Sequence, residues 1–532
     1  MTKSCPHVIV LVNGTSPMGG TPTMEPTTTT VDQEARANGG FAVRMRVGQA
    51  WVGPGDRQAM QVIDPSTGKT IADVPVATKE DAQSALEAAQ QAQPGWAART
   101  PRERAEYLQR VAQLVRADAE RLSRLISQEE GKPLRESRVE IEGWTAGFFE
   151  YFATFARTAH GEILPSDNRG EEIAIRKVPY GVCVGVTPWN FPSAMVARKV
   201  APALMAGNTI VVKPSSTTPL SALALAAIFD QAQLPPGVVS VLTGAGGTIG
   251  DALVRNPITQ LVTLTGSVGA GEKIAAGAAE NLAAVSLELG GKAPFIVMDD
   301  VDVDSATRHA LTARFQNNGQ VCTCNERTYV HRRIFDQFVD RYITLARQLR
   351  LGDPLGDTTD LGPKVTKEEL EKVERMVASA SQQGAEIVTG GRRAEVPGFE
   401  GGFWYEPTVL VVTRNDMEIM QEEIFGPVSP IMAFDDFEEA LDLANDSKYG
   451  LSAYLFCDDA KVAQRFVEGC NFGELYINKI GPEQLNGHHT GYRLSGILGD
   501  DGTHGFEKYS RRRTAYTSWR QETAADLMPF AG

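Results

Sequence analysis

The sequence predicts an α/β protein organised around a doubly wound parallel sheet. Three observations carry that expectation. Short apolar runs at residues 182–186, 209–212, 238–242, 261–265 and 294–297 recur at intervals of about 25–30 residues. Helical stretches such as residues 221–233 separate them. The runs are continuously apolar rather than alternating, as in strands covered on both faces by crossover helices. Each crossover is expected to be right-handed, with ligands bound at the carboxyl ends of the strands.

The other segments follow in chain order. Residues 1–44 are of low complexity, with Thr27 to Thr30 and the pair Gly39-Gly40, and have too little apolar surface to offset the entropy of ordering. They are expected to form a flexible tail, with patterned sequence beginning at Met45. Residues 51–63 read as a hairpin, and Asp64-Pro65-Ser66-Thr67-Gly68 as a turn ahead of residues 71–76. Residues 79–93 and 102–130 are amphipathic helices, the second closed by Gly131 and Pro133. A second α/β region is expected from about residue 295 to 500, with helices at 370–383 and 437–445.

Composition narrows the function. A chain of 532 residues is too long for one ordinary core, and 42% hydrophobic with 22% charged residues is a globular balance. The net charge of -14 argues against a nucleic-acid or anionic-membrane surface. No apolar stretch approaches the ~18 residues of a membrane helix, and the run from Val8 to Val12 is too short for a secretory signal. Six cysteines in so long a chain make no disulfide framework, so a reducing, cytoplasmic setting is expected.

Three side chains could carry chemistry. Cys322 follows the polar run Gln316-Asn317-Asn318-Gly319, which keeps its thiol out of an apolar helix. With Cys324 it could form a redox pair or bind metal, but no second cluster of soft ligands accompanies it, and His488-His489 stands alone; metal is not expected. Glu288, in Leu287-Glu288-Leu289-Gly290-Gly291-Lys292, is a carboxylate in apolar sequence. It is either a general base whose proton affinity burial raises, or the partner of Lys292 in a structural salt bridge. Asn190, in Thr187-Pro188-Trp189-Asn190-Phe191-Pro192, is a rigidly held amide at a strand's carboxyl end, suited to an oxyanion, unless the segment is merely a turn. The stretch Gly244-Ala245-Gly246-Gly247-Thr248-Ile249-Gly250 opens a helix after a strand, where a phosphate would sit, although its spacing departs from the usual fingerprint.

Taken together, Pro-Trp-Asn-Phe-Pro, Leu-Glu-Leu-Gly-Gly-Lys, Gly-Gln-Val-Cys and Glu422-Glu423-Ile424-Phe425-Gly426-Pro427 resemble the aldehyde dehydrogenase superfamily from about Met45 to Trp519. The resemblance implies a Rossmann-like dinucleotide-binding domain (45–160 and 181–288), a catalytic α/β domain (289–502), and bridging strands (161–180 and 503–520) through which subunits associate as a homodimer or homotetramer. It implies that Cys322 is the nucleophile, Asn190 the oxyanion donor and Glu288 the base that hydrolyses a thioester. Trp189, Lys213, Ser215, Ser216, Gly246, Gly250, Gly266, Ser267, Leu289, Glu423 and Phe425 fall on dinucleotide-binding positions, for NAD or NADP. Lys213-Pro214-Ser215-Ser216 stands where the family often has Lys-Pro-Ser-Glu. A carboxylate there repels a ribose 2′-phosphate, so Ser216 implies that NADP is tolerated or preferred.

Within the superfamily the chain is most similar to lactaldehyde and glycolaldehyde dehydrogenases. Arg198, Glu483 and His489 coincide with polar substrate anchors of that group, with Phe191 beside them. Such groups grip a hydroxyl or a carboxylate on a short aldehyde better than an alkyl chain. An alternative is a semialdehyde dehydrogenase in which Arg198 binds a distal carboxylate; the alternative for Arg198 itself is an interdomain salt bridge. A non-catalytic dinucleotide-binding protein on the same fold is a third reading.

Overall fold

Four of those five apolar runs become strands whose carboxyl ends converge in a computed structural model describing residues 41–520 apart from Asp56 and Ala159. In chain order the strands are β1 (Phe41–Ala42), β2 (Met45–Val47), β3 (Ala50–Val52), β4 (Ala59–Asp64), β5 (Lys69–Pro75), β6 (Glu162–Pro165) and β7 (Glu171–Pro179). There follow β8 (Val182–Val186), β9 (Thr209–Lys213), β10 (Val239–Val241), β11 (Thr259–Thr265), β12 (Ala284–Glu288), β13 (Ala293–Val297) and β14 (Asn325–His331). The last are β15 (Glu386–Thr389), β16 (Thr408–Val411), β17 (Val428–Phe434), β18 (Ser452–Phe456), β19 (Glu474–Ile477), β20 (Gly496–Ile497) and β21 (Ser510–Ser518).

The first large sheet has the order β20-β12-β11-β8-β9-β10-β2-β3. From β12 to β10 it is parallel throughout. The chain winds from β8 through β9 to β10, then returns past β8 to β11 and β12. The direction of winding therefore reverses between β8 and β11, and the crevice beyond their carboxyl ends is where such a sheet takes a ligand. Helices Lys79–Ala97 and Ala194–Met205 pack on β8 and β9, and Leu220–Gln231 packs on β10. Val184, Val211, Val262, Leu204 and Phe229 are buried between these layers.

The second large sheet, β15-β16-β17-β14-β13-β18-β19, is parallel except at the edge strand β15. Two three-stranded sheets complete the described residues. One is β1-β5-β4 and the other the antiparallel β21-β7-β6.

Several expectations change. The apolar run at 294–297 is β13, and it pairs with β14 and β18 in the second sheet rather than continuing the first. The fifth parallel strand of the first sheet is β12, whose half-exposed start breaks up the apolar signal. The hairpin expected at 51–63 is two hairpins in different sheets: β2–β3 turning at Gly48, and β4–β5 turning at Asp64 to Gly68. Gly53 and Pro54 separate them. The single helix expected over 102–130 is Pro101–Ala117 followed by Ala119–Glu130, because Asp118 leaves helical geometry at φ −107° and ψ 14°. The apolar period runs through that break and hides it. Of the expected tail, residues 1–40 lie outside the described residues, whereas Phe41–Ala42 pairs with β5 and Val43 is buried. The described helices include none long and apolar enough to cross a membrane.

Candidate active site

All five parallel strands of the first sheet end at one cavity of about 540 Å³. The segment after β8 brings Trp189, Asn190 and Phe191; β9 ends at Lys213 and leads to Ser215 and Ser216; Gly246 follows β10; Gly266 and Ser267 follow β11; and β12 ends at Glu288, followed by Leu289. Cys322, from the loop before β14, and Glu423 and Phe425, from the segment before β17, close the opposite wall. Arg198, Glu483 and His489 line the same space. Of the predicted site residues only Gly250 is off the wall. It is buried, and a Cβ there would make no more than ordinary contact with Lys213, at 3.6 Å.

The nucleophile loop is held in an unusual backbone. Asn317 (φ 47°), Asn318 (φ 56°) and Gly319 (φ 73°) are successive left-handed residues, a conformation asparagine tolerates through its short polar side chain. Asn317 Nδ2 donates to Glu130 Oε1 at 2.9 Å and to the Asn190 carbonyl at 3.2 Å, and its backbone N–H donates to Glu136. Cys322, half-buried, follows within one turn of chain. The two glycines after Leu289 explain themselves by proximity. A Cβ on Gly291 would lie 2.6 Å from the Cys322 carbonyl oxygen, and one on Gly290 would lie 2.6 Å from Glu423 Oε2.

Asn190 is fixed from both ends. Its carbonyl accepts from Lys132 Nζ at 2.7 Å, and its Nδ2 donates to the Gln320 carbonyl at 2.8 Å, two residues before the thiol. Lys132 is fully buried, paired with Glu140 at 2.6 Å, and lies 3.9 Å from the Phe191 ring. One N–H of the Asn190 amide is thus spent on Gln320 and the other is left for a second acceptor.

Glu288 is not the partner of Lys292. That lysine pairs with Glu326 at 2.9 Å, and Glu326 also accepts from the backbone N–H groups of Ile424 and Phe425. Both Glu288 oxygens are buried without a hydrogen-bond partner in the protein. Burial pushes its carboxyl up to about 8, against the opposing charge of His489, whose Nε2 lies 3.6 Å away. A buried, unpartnered carboxyl facing a cavity is suited to take a proton from water.

At the inner end Arg198 lines the cavity and is also paired within the protein. Its Nε donates to Asp501 Oδ1 at 2.9 Å, its Nη2 to Asp501 Oδ2, and Glu483 Oε1 is 3.1 Å from Nη2. Two of its three nitrogens are therefore engaged by a carboxylate, as in the salt-bridge alternative, while Nη1 has only the Met195 sulfur at 3.9 Å. Asp501 had no signal in the sequence that set it apart. Glu483 is held below the ordinary carboxylate range, because His489 and Arg198 outweigh the effect of burial. Trp144 and Tyr454, which also line the cavity, lie outside every motif, and Thr323 lies between the two cysteines of the Cys322–Cys324 pair.

The outer end fits a dinucleotide. Gly246 and Gly247 have no protein atom within 4 Å of a Cβ position, so a ligand can approach their backbone. Ser267 caps the helix Val268–Ala279, whose N-terminus faces the cavity. Lys213, pushed down to about 8 by burial, donates to the carbonyls of Pro214 and Gly244. Ser216 Oγ donates to Gly244 O at 2.9 Å. Glu423 Oε1 accepts from Gly291 N–H at 2.8 Å, and Phe425 packs edge-on to Trp189 at 5.2 Å. No group of three metal-ligating side chains gathers among the described residues.

Comparison with known proteins agrees with this arrangement. The profile of the Aldehyde dehydrogenase family matches residues 51–515. The chain is 43% identical over 476 residues to 3,6-anhydro-alpha-L-galactose dehydrogenase of Vibrio sp. (strain EJY3), covering 90% of this chain and 99% of that protein. It is 44% identical to lactaldehyde dehydrogenase of Escherichia coli (strain K12), over 88% of this chain and 95% of that one. The crystal structure of lactaldehyde dehydrogenase from Escherichia coli superposes with a TM-score of 0.87 at 43% identity, covering 89% of this chain and 99% of the other. With the matched profile spanning the second large sheet and every strand that feeds the cavity, the chain belongs to the aldehyde dehydrogenase family, oxidoreductases that act on aldehydes.

Proposed function

We propose that this enzyme oxidises a small, uncharged hydroxyaldehyde, of the lactaldehyde or glycolaldehyde kind, to its carboxylic acid with NAD or NADP. The observation that carries the substrate class is the bidentate pairing of Arg198 with Asp501. With its guanidinium engaged by Asp501, the inner end presents Glu483 and Glu288 beside His489, an excess of carboxyl groups. A distal carboxylate, as in a semialdehyde, would meet like charge there. Hydroxyl groups would find acceptors and a donor, and analogues lacking them would leave buried polar groups unpaired.

In this reading Cys322 attacks the aldehyde carbon as thiolate, forming the C–S bond while the carbonyl oxygen becomes an oxyanion. The free N–H of the Asn190 amide and the Cys322 backbone N–H hold that charge. When bound, the dinucleotide supplies the acceptor for the hydride that leaves the tetrahedral carbon, converting the adduct to a thioester. Glu288 then takes a proton from water as its oxygen attacks the thioester carbon, and the Cys322 sulfur leaves. The first sheet serves as the dinucleotide-binding part and the second as the catalytic part. Gly266, Ser267 and Gly246 offer backbone N–H groups to phosphates, while Lys213 and Glu423 offer a donor and an acceptor to ribose hydroxyls. Trp189, Ser215, Leu289 and Phe425 complete those walls, and Phe191 bounds the substrate.

The edge of β21 that is unpaired among the described residues, with Tyr516 79% exposed on it and Trp519 76% exposed just beyond it, supports self-association as a homodimer or homotetramer, since an unpaired edge strand invites another strand. Replacing Tyr516 and Thr514 by Asp is expected to lower the sedimentation coefficient to that of a smaller species; an unchanged value assigns assembly to another surface.

Cys322→Ser is expected to lower kcat by about 1,000-fold or more, and Glu288→Gln to leave one fast turnover per site followed by slow release. Because Glu288 works as base only when ionised, wild-type hydrolysis should rise with pH through about 8, and this limb should vanish in Glu288→Gln. A fast steady state in either variant rules out the assigned roles.

On a panel of glycolaldehyde, lactaldehyde, propanal and succinic semialdehyde, kcat/KM is expected to be highest for the two hydroxyaldehydes. Glu483→Gln should reduce that value about 10–100-fold for the hydroxyaldehydes while leaving propanal little changed, matching about 1.5–3 kcal/mol for a hydrogen bond to a charged group. A preference for the semialdehyde would select the alternative.

Ser216 places a neutral hydroxyl, tied to Gly244, where a carboxylate would repel a 2′-phosphate. Turnover with NADP comparable to or better than with NAD is expected, and Ser216→Glu should cut kcat/KM for NADP at least tenfold, about 1.4 kcal/mol. A strong preference of the unaltered enzyme for NAD counts against this.

A further inference from the structure

Glu474, the first residue of β19, has no part in the reaction as described. Its Oε1 lies 3.1 Å from Nδ1 of His489, and its Oε2 accepts from the hydroxyls of Ser452 and Tyr476, each at 3.3 Å. The other imidazole nitrogen, Nε2, lies 3.6 Å from Glu288 Oε2. His489 is 1% exposed, so neither nitrogen is turned to bulk water. Nδ1 makes no hydrogen bond within the protein, so what acts on the ring is charge: a carboxylate against each nitrogen favours the form with a proton on both.

We propose that Glu474 is a positioning residue for hydrolysis: by holding His489 doubly protonated, it keeps a positive charge against Glu288 and so keeps that buried carboxyl usable as a base. The inference deepens the reading above and rests on Glu288 being that base.

The surroundings of both groups favour it. His489 is faced by Glu474 from β19, Glu483 from the following loop, Glu288 from β12, Arg198 from helix Ala194–Met205, and the Cys322 thiol. Burial and Arg198 oppose its charge; Glu474, Glu483 and the contact with Cys322 favour it, and the imidazolium is held well above the ordinary histidine range. Burial raises the proton affinity of Glu288 and Asp500 adds to it; His489 first, then Lys508 and Arg198, lower it, and Lys199 lies within reach of the same field. His489 is thus the largest single influence that lowers its proton affinity. Removing the charge of His489 lets Glu288 rise further, so fewer enzyme molecules carry an ionised base at a given pH.

The test uses 4-nitrophenyl acetate, which needs neither an aldehyde nor a dinucleotide. Cys322 attacks the ester carbonyl, the C–S bond forms, and 4-nitrophenolate leaves as a burst. Water then attacks the acetyl thioester, Glu288 takes its proton, and acetate and the thiol are released in the slow phase. In Glu474→Gln the burst amplitude is expected to match wild type, while the rising limb of the slow phase moves to higher pH by about one unit, a tenfold slower release below the limb. His489→Asn should move the limb in the same direction, and the double variant no further than the larger single shift, as for a residue acting through another. A limb unmoved in Glu474→Gln, or additive shifts in the double variant, would overturn the proposal. Where Glu474→Gln fails to fold, Glu474→Asp lengthens the gap and should move the limb by a smaller amount; no movement there overturns it too. A wild-type slow phase indifferent to Glu288→Gln overturns the base assignment itself, and is distinguishable because it needs no change at residue 474.

Discussion

The active site depends on one junction between the two large sheets, made at Asn190. Its carbonyl receives the Lys132 ammonium and the Asn317 amide, while its own amide reaches the Gln320 carbonyl. Lys132 belongs to the segment after helix Ala119–Glu130, Asn190 to the carboxyl end of β8, and Asn317 and Gln320 to the loop that ends at Cys322. Three distant stretches of chain are therefore locked to each other within hydrogen-bond length. A single ammonium buried at this point is tolerable only because Glu140 neutralises it, and removing either partner would leave an uncompensated charge. Placing the amide and the thiol loop in one rigid frame lets the donor meet an oxyanion without reorganising as the charge forms.

Much of this is legible in the sequence. The apolar runs located four of the five central strands of the first sheet, because strands buried on both faces must be apolar throughout. The site residues were legible through motifs whose reasons are now local. Gly290 and Gly291 are glycines because Glu423 and the Cys322 carbonyl occupy the space a Cβ would need. Where the sequence misled, the missing information was three-dimensional. The pattern at 294–297 could not say which sheet it joined, and a helix break at Asp118 leaves no trace when the apolar period continues across it. Arg198 is the sharper case. A salt bridge was one of the two readings of its sequence, but the partner, Asp501, lies 303 positions away, and only folding brings the two together.

That pairing changes the chemistry of the inner pocket. A free arginine would draw carboxylates; an arginine neutralised by Asp501 and leaning on Glu483 is instead part of the wall. What remains active around it is an acid-rich surface relieved by one imidazole, with Asp500 satisfied separately by Lys508 and Lys199. Such a surface discriminates by hydrogen bonding rather than by charge attraction. It penalises ligands that bring negative charge and those that bring no hydroxyl, for different reasons: repulsion in the first case, unpaired buried groups in the second.

The same low-dielectric enclosure sets the problem that His489 addresses. Burial makes Glu288 a strong base but also makes it reluctant to ionise, and the two effects grow together. More burial alone would drive the carboxyl into a permanently protonated state, useless for accepting a proton. A fixed cation nearby separates the effects, because it lowers the cost of the ionised form without returning the site to water. Histidine can supply that cation in an apolar interior only if something holds its own proton. A carboxylate on the far nitrogen, anchored by two hydroxyls on β18 and β19, meets that requirement without touching substrate. The arrangement is economical because His489, which keeps Glu288 competent, also lines the polar floor against which a hydroxylated aldehyde would rest.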